Sequence, residues 1–430
     1  MHSRSSAITV RAKIRNPLYP EKNLKGNLAM ENQEYRTLGI YLHIPFCKRK
    51  CAYCDFYSVE TDKNEGMMKP YTKAAIHHLQ TVSERTTQYN IDTIYIGGGT
   101  PTALDPKCLL KLVKEISNSF YLTENPEFTV EMNPGTADLK LLKQLRKYGV
   151  NRLSIGAQSA NNEELAALSR IHTVKDMSAA FRLAREADFQ NINIDLMYGI
   201  PGQTTESFRE TLQFVISMKP EHISLYGLKI EEGTPFDRQK ETLVLPDEET
   251  EYNMYTEAIS LLSEHGWEQY EISNFARKGY QCRHNLKYWN CEEYIGCGPG
   301  SHSCFGGTRY SIQRSLPLYL KALSEKSKTI PSYILDENYT VNETERENEY
   351  IMLRMRLSEG LDSEEYLALF GKDFDETYGA KLEEYISGGF VTHTGSKYAF
   401  TVKGMYVSNY ILSSILSFSE RMQKGFCETF

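Results

Sequence analysis

The chain has 430 residues, of which 40% are hydrophobic and 24% are charged, a composition typical of folded globular proteins and unlike that of disordered chains. Domains usually contain about 100 to 200 residues, so the length predicts two or three domains. The formal net charge of −7 excludes general binding to nucleic acid or to an anionic membrane unless a local basic patch supports it.

The N-terminal 30 residues are basic, with six Lys and Arg against Glu21 alone. This basic arm has no regular apolar period and is compatible with a disordered arm, an organelle-targeting segment or sequence upstream of a true start at Met30; we favour the last. The chain has no apolar run of the roughly 18 residues that a membrane span needs, and no secretory signal. Nine cysteines are too few for a disulfide framework. We therefore expect a cytoplasmic protein.

Short apolar segments alternate with helical periodicity from residue 39 to residue 226, which indicates consecutive βα units. The predicted strands are 39–44, 93–96, 128–132, 152–155, 192–197 and 222–226. The predicted helices between them are 109–120, 138–148, 174–187 and 205–218. Such units form parallel strands with functional residues at the strands' carboxyl ends. Six strands predict an α/β fold, a partial (β/α)6 barrel, over residues 36–230.

The sequence pattern changes after residue 230. We expect a barrel extension or lid over 231–310, with an acidic helix at 247–265 followed by a tract rich in Gly and aromatic residues. The remainder, 311–430, is predicted to be a C-terminal helical, winged-helix-like α+β domain with short strands near 390–392 and 398–402. Residues 341–403 hold seven Lys and Arg against thirteen Asp and Glu, so we expect a packing or interaction module that does not bind nucleic acid.

Three clustered cysteines carry the strongest chemical signal. Cys47, Cys51 and Cys54 follow the first predicted strand directly. Thiolates at this spacing can hold one soft metal centre, and an iron-sulfur cubane held by three cysteines leaves one iron open to a ligand. A zinc site that borrows His43 as fourth ligand is the alternative.

Polar residues also recur at the ends of the next predicted strands. The segment Gly97-Gly98-Gly99-Thr100-Pro101 closes the second strand, and its glycines let a ligand approach the backbone closely. Glu131 ends the third strand, Gln158 follows the fourth and Asp195 lies in the fifth. Each alone is compatible with a turn or a helix cap. Their recurrence favours a site for ribose hydroxyls and an amino group.

The cysteine segment from Tyr41 to Cys54, together with the Gly-Gly-Gly-Thr-Pro segment, resembles the radical S-adenosylmethionine (SAM) superfamily. The resemblance covers about residues 39–300 and is to the branch of the oxygen-independent coproporphyrinogen III oxidases and the HemW heme chaperones; the C-terminal domain also resembles that branch. It implies a [4Fe-4S] cluster on the three cysteines whose open iron binds SAM, and reductive cleavage of SAM to a 5'-deoxyadenosyl radical. By motif position it implies a SAM pocket lined by Tyr41, Tyr53, Gly98, Gly99, Thr100, Glu131, Gln158, Arg170, Asp195 and His302.

Two features place the resemblance nearer to the heme chaperones than to the oxidases. The sequence pattern of the oxidases is Cys-x3-Cys-x2-Cys-x-Cys, whereas this chain has Phe56 at the position of the fourth cysteine. The segment His284-Asn-Leu-Lys-Tyr288-Trp289 is similar to a chaperone signature that the oxidases lack. His284 beside aromatic rings is therefore a candidate axial ligand for heme. A hydrogen-bonded structural histidine is the alternative.

The leading hypothesis is a heme-chaperone-like radical SAM protein that binds the cluster, SAM and heme. It would receive electrons from a donor and deliver heme to an apo-protein of a respiratory chain. The alternative is a coproporphyrinogen III oxidase of porphyrin biosynthesis, and a third possibility is a zinc-stabilised scaffold, so the sequence leaves enzymatic activity open. The remaining cysteines have no ligand spacing and are expected to be inert thiols: Cys108, Cys282, Cys291, Cys297, Cys304 and Cys427.

Overall fold

The computed structural model describes residues 36–324 and 329–417. The basic N-terminal arm of residues 1–30 and Cys427 lie outside these ranges. The strands in the described ranges are β1 (Thr37–Ile44), β2 (Phe46–Cys47), β3 (Val59–Glu60), β4 (Asn90–Gly98), β5 (Leu122–Met132), β6 (Arg152–Gln158), β7 (Ile192–Tyr198), β8 (His222–Gly227), β9 (Glu268–Glu271), β10 (Asn274–Ala276), β11 (Tyr294–Cys297), β12 (His302–Phe305), β13 (Thr308–Ile312), β14 (Leu335–Thr340), β15 (Leu361–Asp362), β16 (Val391–Thr394) and β17 (Lys397–Phe400).

The helices occupy most of the segments between the strands. They are α1 (Thr61–Asn64), α2 (Met68–Arg85), α3 (Pro106–Ser119), α4 (Leu139–Lys147), α5 (Asn162–Ala167), α6 (Val174–Glu186), α7 (Thr205–Met218), α8 (Pro235–Gln239), α9 (Glu248–Glu264), α10 (Arg283–Trp289), α11 (Leu316–Leu323), α12 (Glu343–Arg354), α13 (Ser363–Phe370), α14 (Ala380–Ser387), α15 (Val402–Tyr406) and α16 (Ser408–Ile415). Short 3-10 turns lie at Glu65–Met67, Pro101–Ala103 and Ser332–Ile334, and a π-helical turn at Asp375–Gly379.

A twelve-stranded sheet organises the described residues up to Thr340, in the order β14-β13-β12-β11-β1-β4-β5-β6-β7-β8-β10-β9. The seven strands from β11 to β8 in this order are parallel, and the strands at both flanks are antiparallel. All six predicted strands are confirmed, and the sheet remains open, as a partial barrel does. The seventh parallel strand, β11, came from the tract that the sequence assigned to an extension or lid.

The two faces of the parallel strands differ in chemistry, since side chains alternate between faces. One face is apolar and packs under the helices; its buried side chains include Leu38, Ile40, Leu42, Ile94, Ile96, Phe128, Val130, Leu153, Ile155, Ile192, Ile194, Ile223 and Leu225. The other, which we call the inner face, is polar and buried at most positions; its side chains include His43, Thr93, Glu127, Thr129, Arg152, Ser154, Asn193, His222 and Ser224.

The helices on the outer side begin where side-chain caps satisfy their first backbone amides. Asp105 accepts from the amides of Lys107 and Cys108 at the start of α3, and Asp138 accepts from Leu141 at the start of α4. Capping boxes begin α6 and α7. The observed helices lie within three residues of the predicted bounds.

The strand β14 belongs to the main sheet and the helix α11 to its core, so the C-terminal domain begins after the predicted boundary at 311. Leu316 and Tyr319 of α11 are part of the main core, and the Tyr319 hydroxyl lies 3.1 Å from Nδ1 of His78 in α2. The apolar face of α11 therefore needs α2 as its partner. The C-terminal domain begins at Asn342, whose side chain caps α12.

The C-terminal domain combines α12 to α16 with a three-stranded antiparallel sheet in the order β15-β17-β16. This confirms the predicted α+β character and the two predicted short strands. The domain has its own core, which also takes in Tyr255 of α9 and Trp289 of α10. A β-bridge joins Glu271 to Leu357. The domain is thus packed against the sheet through side chains from both α9 and α10.

Within the described parts of the chain, every helix is too short or too polar to cross a lipid bilayer.

Candidate functional site

The three clustered cysteines lie between the end of β2 and the start of β3, in a segment that we call the cysteine loop (residues 47–58). Cys47, Cys51 and Cys54 are half-buried and none is in a disulfide. The amide of Cys54 donates to the carbonyl of Cys51 (3.3 Å), and the amide of Ala52 donates to the carbonyl of Leu168 (3.4 Å). Ala52 also packs in a small apolar cluster with Leu168 and other residues. The loop is therefore fixed to the carboxyl end of the sheet.

Two polar side chains touch the cysteine sulfurs, and one asparagine holds both of them. Thr100 Oγ1 lies 3.5 Å from Cys47 Sγ, and Arg170 Nη1 donates to Cys51 Sγ at 3.4 Å. Asn133 donates to Thr100 Oγ1 at 2.8 Å and accepts from Arg170 Nη2 at 2.7 Å. Asn133 follows β5 and was missed by the sequence analysis, which stopped at the carboxylate that ends the strand.

Burial favours the neutral form of two of the three thiols. Burial raises the pKa of Cys47, and burial together with the nearby Cys51 raises the pKa of Cys54 to about 12. Neutral thiols are therefore favoured when the protein alone supplies the surroundings. A metal centre binds the thiolate form, so its binding would release protons, and the positive charge of the metal beside the thiolates would offset the cost of burying them. The donor set of three thiols fits the [4Fe-4S] cluster that the sequence resemblance implies.

The zinc alternative needs His43 beside the cysteines, but His43 is engaged elsewhere. Its Nε2 lies 2.8 Å from the carbonyl oxygen of Tyr57, and its Nδ1 lies 3.1 Å from the Tyr41 hydroxyl. Burial lowers the pKa of His43 to about 4. In residues 36–324 and 329–417, no group of three or more His, Cys, Asp or Glu side chains is close enough to hold a single metal ion. A cubane cluster holds its ligands farther apart than one ion does.

The predicted glycine segment packs closely against the residues that directly precede the cysteine loop. Gly98 has a φ of +109°, and a Cβ there would lie 2.5 Å from Nδ1 of His43, so glycine is required. The amide of Gly99 donates to Ile44 (2.8 Å) and the amide of Thr100 donates to Phe46 (2.7 Å). These amides are used within the protein. The contact of Gly98 and Gly99 with SAM stays a prediction, and it would have to use backbone atoms other than the amide of Gly99, which donates to Ile44, and the amide of Gly98, which donates to Glu131.

Glu131 lies at the carboxyl end of β5 on the inner face. Its carboxylate accepts from the Tyr95 hydroxyl (2.8 Å) and from the amide of Gly98 (3.1 Å). Burial raises the pKa of Glu131 to about 7, and the negative charge of Asp195 adds to this effect. Because each carboxylate oxygen has a further acceptor position, Glu131 can still take a hydrogen bond from a ligand hydroxyl.

Asp195 is held in a network of small polar side chains across β6, β7 and β8. It accepts from Ser154 Oγ (3.1 Å) and Asn193 Nδ2 (2.7 Å), and Asn193 also donates to Ser224 Oγ (3.0 Å). Burial raises the pKa of Asp195. The sequence analysis missed these partners. These partners could have been found from the alternation of polar and apolar residues along the predicted parallel strands. Parallel strands that are covered on both faces are usually apolar throughout, so polar residues at every second position indicate a buried polar face.

The other predicted SAM-pocket residues lie around the same end of the sheet. Gln158 ends β6 in the left-handed region, with a φ of 70°. The Tyr41 ring stacks on Tyr95 at 6.2 Å between centroids. Tyr53 lies on the cysteine loop, and burial raises its pKa. His302 differs from the rest, because it is exposed at the start of β12 and belongs to the rim of the site.

His284 lies at the opposite, amino end of the inner face. Its Nδ1 is 2.9 Å from Thr93 Oγ1, and its Nε2 is 2.8 Å from the Tyr288 hydroxyl. The ring stacks on Tyr95 at 5.4 Å, and only 1% of the residue is exposed. Burial lowers the pKa of His284 to about 3, so the imidazole is neutral. The structure thus presents the hydrogen-bonded histidine of the alternative interpretation, with both ring nitrogens engaged.

The helix that carries His284 is anchored by a buried carboxylate. Glu127 of β5 accepts from the backbone amides of Arg283 and His284, each at 3.0 Å, and lies 3.4 Å from Cys282 Sγ. These bonds satisfy the first amides of α10, where a negative charge is also favoured by the helix dipole. Sequence reasoning did not identify Glu127, because it is distant in sequence from the helix that it caps.

Comparisons with known proteins add independent findings. The radical SAM superfamily matches residues 41–215, and the HemN C-terminal domain matches residues 341–407. The chain is 34% identical over 381 residues to a Bacillus subtilis protein named heme chaperone HemW, covering 87% of this chain and 98% of that one. An Escherichia coli protein of the same name is 32% identical over 380 residues, covering 88% and 98%.

A solved structure shares the fold. The Escherichia coli coproporphyrinogen III oxidase HemN, described as a radical SAM enzyme, superimposes with a TM-score of 0.78 and 23% sequence identity. The match covers 89% of this chain and 90% of that one. The open parallel sheet and the C-terminal domain are therefore common to both proteins.

Replacing Cys54 by Ala should abolish cluster formation in anaerobically reconstituted protein, because only two thiolates of the loop would remain to hold the irons. Iron and sulfide content and the visible absorbance measure this outcome. Cys108→Ala, a buried thiol of α3 outside the cysteine loop, is the matched control and should retain the cluster. Full iron and sulfide in the Cys54→Ala protein would contradict the assignment.

Replacing Glu131 by Gln should weaken SAM binding about tenfold to a hundredfold, as expected for the loss of a charged hydrogen-bond acceptor. In the unchanged protein, affinity should also fall as the pH drops below about 7, because the Glu131 carboxylate then becomes protonated. The Glu131→Gln protein should lose this pH dependence. Calorimetry on reconstituted protein measures both effects, and Glu124→Gln, an exposed glutamate of the same strand, should behave like the unchanged protein.

Proposed function

We propose that this chain, which belongs to the HemW family within the radical SAM superfamily, binds heme and delivers it to an acceptor protein. The observation that carries this proposal is the similarity over nearly the full length of the HemW relatives, 98% of the Bacillus subtilis protein. Membership of the radical SAM superfamily implies a [4Fe-4S] cluster and SAM. Heme as the cargo is the part that rests on the names of the relatives.

When bound, the cluster and SAM supply one-electron reductive chemistry. In this proposal Cys47, Cys51 and Cys54 hold the cluster, and the Arg170 guanidinium lies against one sulfur. Asn133 orients Arg170 and thereby keeps the loop and the sheet in register. The carboxylates at the ends of β5 and β7 and the other predicted pocket residues would bind SAM by hydrogen bonds, in an environment where burial strengthens each bond.

Phe56 supports the chaperone assignment over the oxidase alternative. It occupies the position of the fourth cysteine in the oxidase pattern, and 66% of the residue is exposed. A phenyl ring supplies neither a sulfur ligand nor a proton to this part of the cysteine loop. The shared fold with HemN does not itself argue for a shared reaction, because one fold hosts different functions.

For heme binding, we propose that His284 becomes the axial ligand after its Nε2 leaves the Tyr288 hydroxyl. The imidazole is neutral at pH 7, which is the form that coordinates iron. Tyr95, Tyr288 and Tyr294 form a set of aromatic rings beside it and could pack on a porphyrin once α10 moves. This rearrangement would cost the free energy of breaking the contacts that hold α10 in place.

We also propose a cytoplasmic setting, an electron donor for the cluster and a heme-accepting apo-protein of a respiratory chain as partners. The three unpaired thiols of the cysteine loop are compatible with a reducing compartment. The acidic C-terminal domain favours a protein partner over nucleic acid.

The anaerobically reconstituted protein should bind heme stoichiometrically and should not convert coproporphyrinogen III to protoporphyrinogen IX when SAM and a reductant are present. Heme titration followed by absorbance, with parallel chromatography of the porphyrin products, measures both properties. Sustained protoporphyrinogen formation by the cluster-loaded protein would refute the chaperone proposal in favour of the oxidase.

His284→Ala should weaken heme binding and shift the Soret band, because an axial imidazole is lost. Tyr288→Phe should instead strengthen binding, since it removes the hydroxyl that competes for Nε2. Heme titration of both proteins tests the two effects, with exposed His265→Ala as the control. If both variants keep the unchanged heme spectrum and affinity, His284 is structural, and His302→Ala is the next variant to test.

A further inference from the structure

We propose that the outer surface of the cysteine loop is the docking site for an acidic protein that carries single electrons. This surface consists of Lys48, Arg49, Lys50, Phe56 and the neighbouring Ile171. The inference rests on the proposed function, because it assumes that the loop holds an iron-sulfur cluster that must be reduced.

The cationic part of the surface is exposed and lies between two cluster ligands. Lys48, Arg49 and Lys50 separate Cys47 from Cys51, and all three are exposed. Lys48 Nζ donates to the carbonyl of Gly135 at 3.0 Å. Within the described residues, none of the three forms an ion pair, so their charges remain available to a partner.

The two carboxylates closest in sequence, Asp55 and Glu60, each form an ion pair with a cation outside the cysteine loop. Asp55 lies 2.9 Å from Arg314 Nη1, and Glu60 lies 2.5 Å from Lys63 Nζ. Asp55 therefore has a cation outside the loop. Glu60 also accepts from the backbone amide of Lys50 and interacts with Arg49, so it offsets part of the positive charge and leaves the loop with a net positive charge. The whole chain has a net charge of −7, so a positive patch beside the thiols is opposite in sign to the rest of the molecule.

Two large exposed apolar side chains belong to this surface, Phe56 on the cysteine loop itself and Ile171 beside Lys48 and Arg49. Phe56 is 66% exposed and Ile171 is 55% exposed. Ile171 follows Arg170, the residue that donates to Cys51 Sγ, and it lines the same shallow pocket as Lys48, Arg49 and Cys51. A surface of exposed apolar groups with a charged margin is typical of a protein interaction site.

A cationic and apolar surface on a chain of net negative charge indicates a partner that is itself acidic. An acidic protein would be repelled by most of this chain but attracted to the loop, and such a field both orients the encounter and increases the association rate. Contact at this surface would place the partner's redox centre on the other side of one backbone loop from the cluster. Electron-transfer encounters use small interfaces, which this patch can supply.

The electron balance of the proposed step is one electron. The partner in its reduced state loses one electron, and the oxidised cluster gains it. The partner must therefore be a one-electron carrier, and the acidic flavodoxins and [2Fe-2S] ferredoxins are suitable probes of this class. The alternative occupant of this surface is the heme-acceptor protein.

The test compares two triple charge reversals in the full-length reconstituted protein. The docking variant is Lys48→Glu, Arg49→Glu, Lys50→Glu. The control is Lys111→Glu, Lys143→Glu, Lys147→Glu, which changes the net charge equally at exposed positions of α3 and α4. Stopped-flow bleaching of the cluster by photoreduced flavodoxin gives the reduction rate, and calorimetry with oxidised flavodoxin gives the affinity without any reaction.

We expect the docking variant to be reduced by flavodoxin at least about tenfold more slowly at low ionic strength, with weaker binding of oxidised flavodoxin. Reduction by dithionite needs no protein interface, and at high ionic strength, where salt screens the charge of this small anion, its rate should be the same in both proteins. Added salt should slow the unchanged protein more than the variant. Phe56→Ser with Ile171→Ser should weaken binding without removing its salt dependence.

Equal rates in the docking variant and the unchanged protein would overturn the proposal, and so would equal slowing in both triple variants. Weaker binding of a heme-acceptor protein with unchanged flavodoxin kinetics would assign the surface to the acceptor instead. Iron content and heme titration are measured on the same samples. If the protein binds no cluster, the proposed function is contradicted. If the docking variant keeps its cluster and is reduced by flavodoxin at the unchanged rate, only the docking proposal is contradicted.

Discussion

The structure depends on satisfying the polar side chains that one face of a parallel sheet buries. Burial of such groups costs free energy unless each finds a hydrogen-bond partner. Glu127 meets the amides of α10, and Glu131 meets Tyr95 and Gly98. Each pairing joins elements distant in sequence. The same network that makes the inner face stable therefore fixes the loops at one end of the sheet and a helix at the other.

The sequence was sufficient for the parts of the fold that follow from local periodicity. The six strands of βα units and their helices were found because short apolar segments alternate with segments in which apolar residues recur at helical spacing. The structure adds the caps at the helix starts, such as Asp138 and Thr204. The strand β11 was missed because only four residues form it, and its place beside β1 is set by tertiary pairing. The same limit placed the C-terminal boundary too early, since the partner of α11 is in α2.

In the candidate site, too, some residues could be found from the sequence and others only from the structure. The cysteines and strand-end residues were found because their chemistry is concentrated in short segments. Asn133 was not, since an asparagine after a strand is an ordinary turn residue, and its role depends on Thr100 and Arg170 meeting it in space. The position of His284 was equally inaccessible. A motif shows which residues act together but not at which end of a sheet they lie.

Tyr95 touches both ends of this system. Its hydroxyl donates to Glu131, and its ring stacks on His284. If SAM binds at Glu131 and heme binds at His284, a shift of the Tyr95 side chain when one ligand binds changes the affinity for the other, so the two binding events have a coupling free energy. Thermodynamic reciprocity then requires that SAM change the affinity for heme by the same factor as heme changes the affinity for SAM. The cofactor would in that case act as an effector of cargo loading and release.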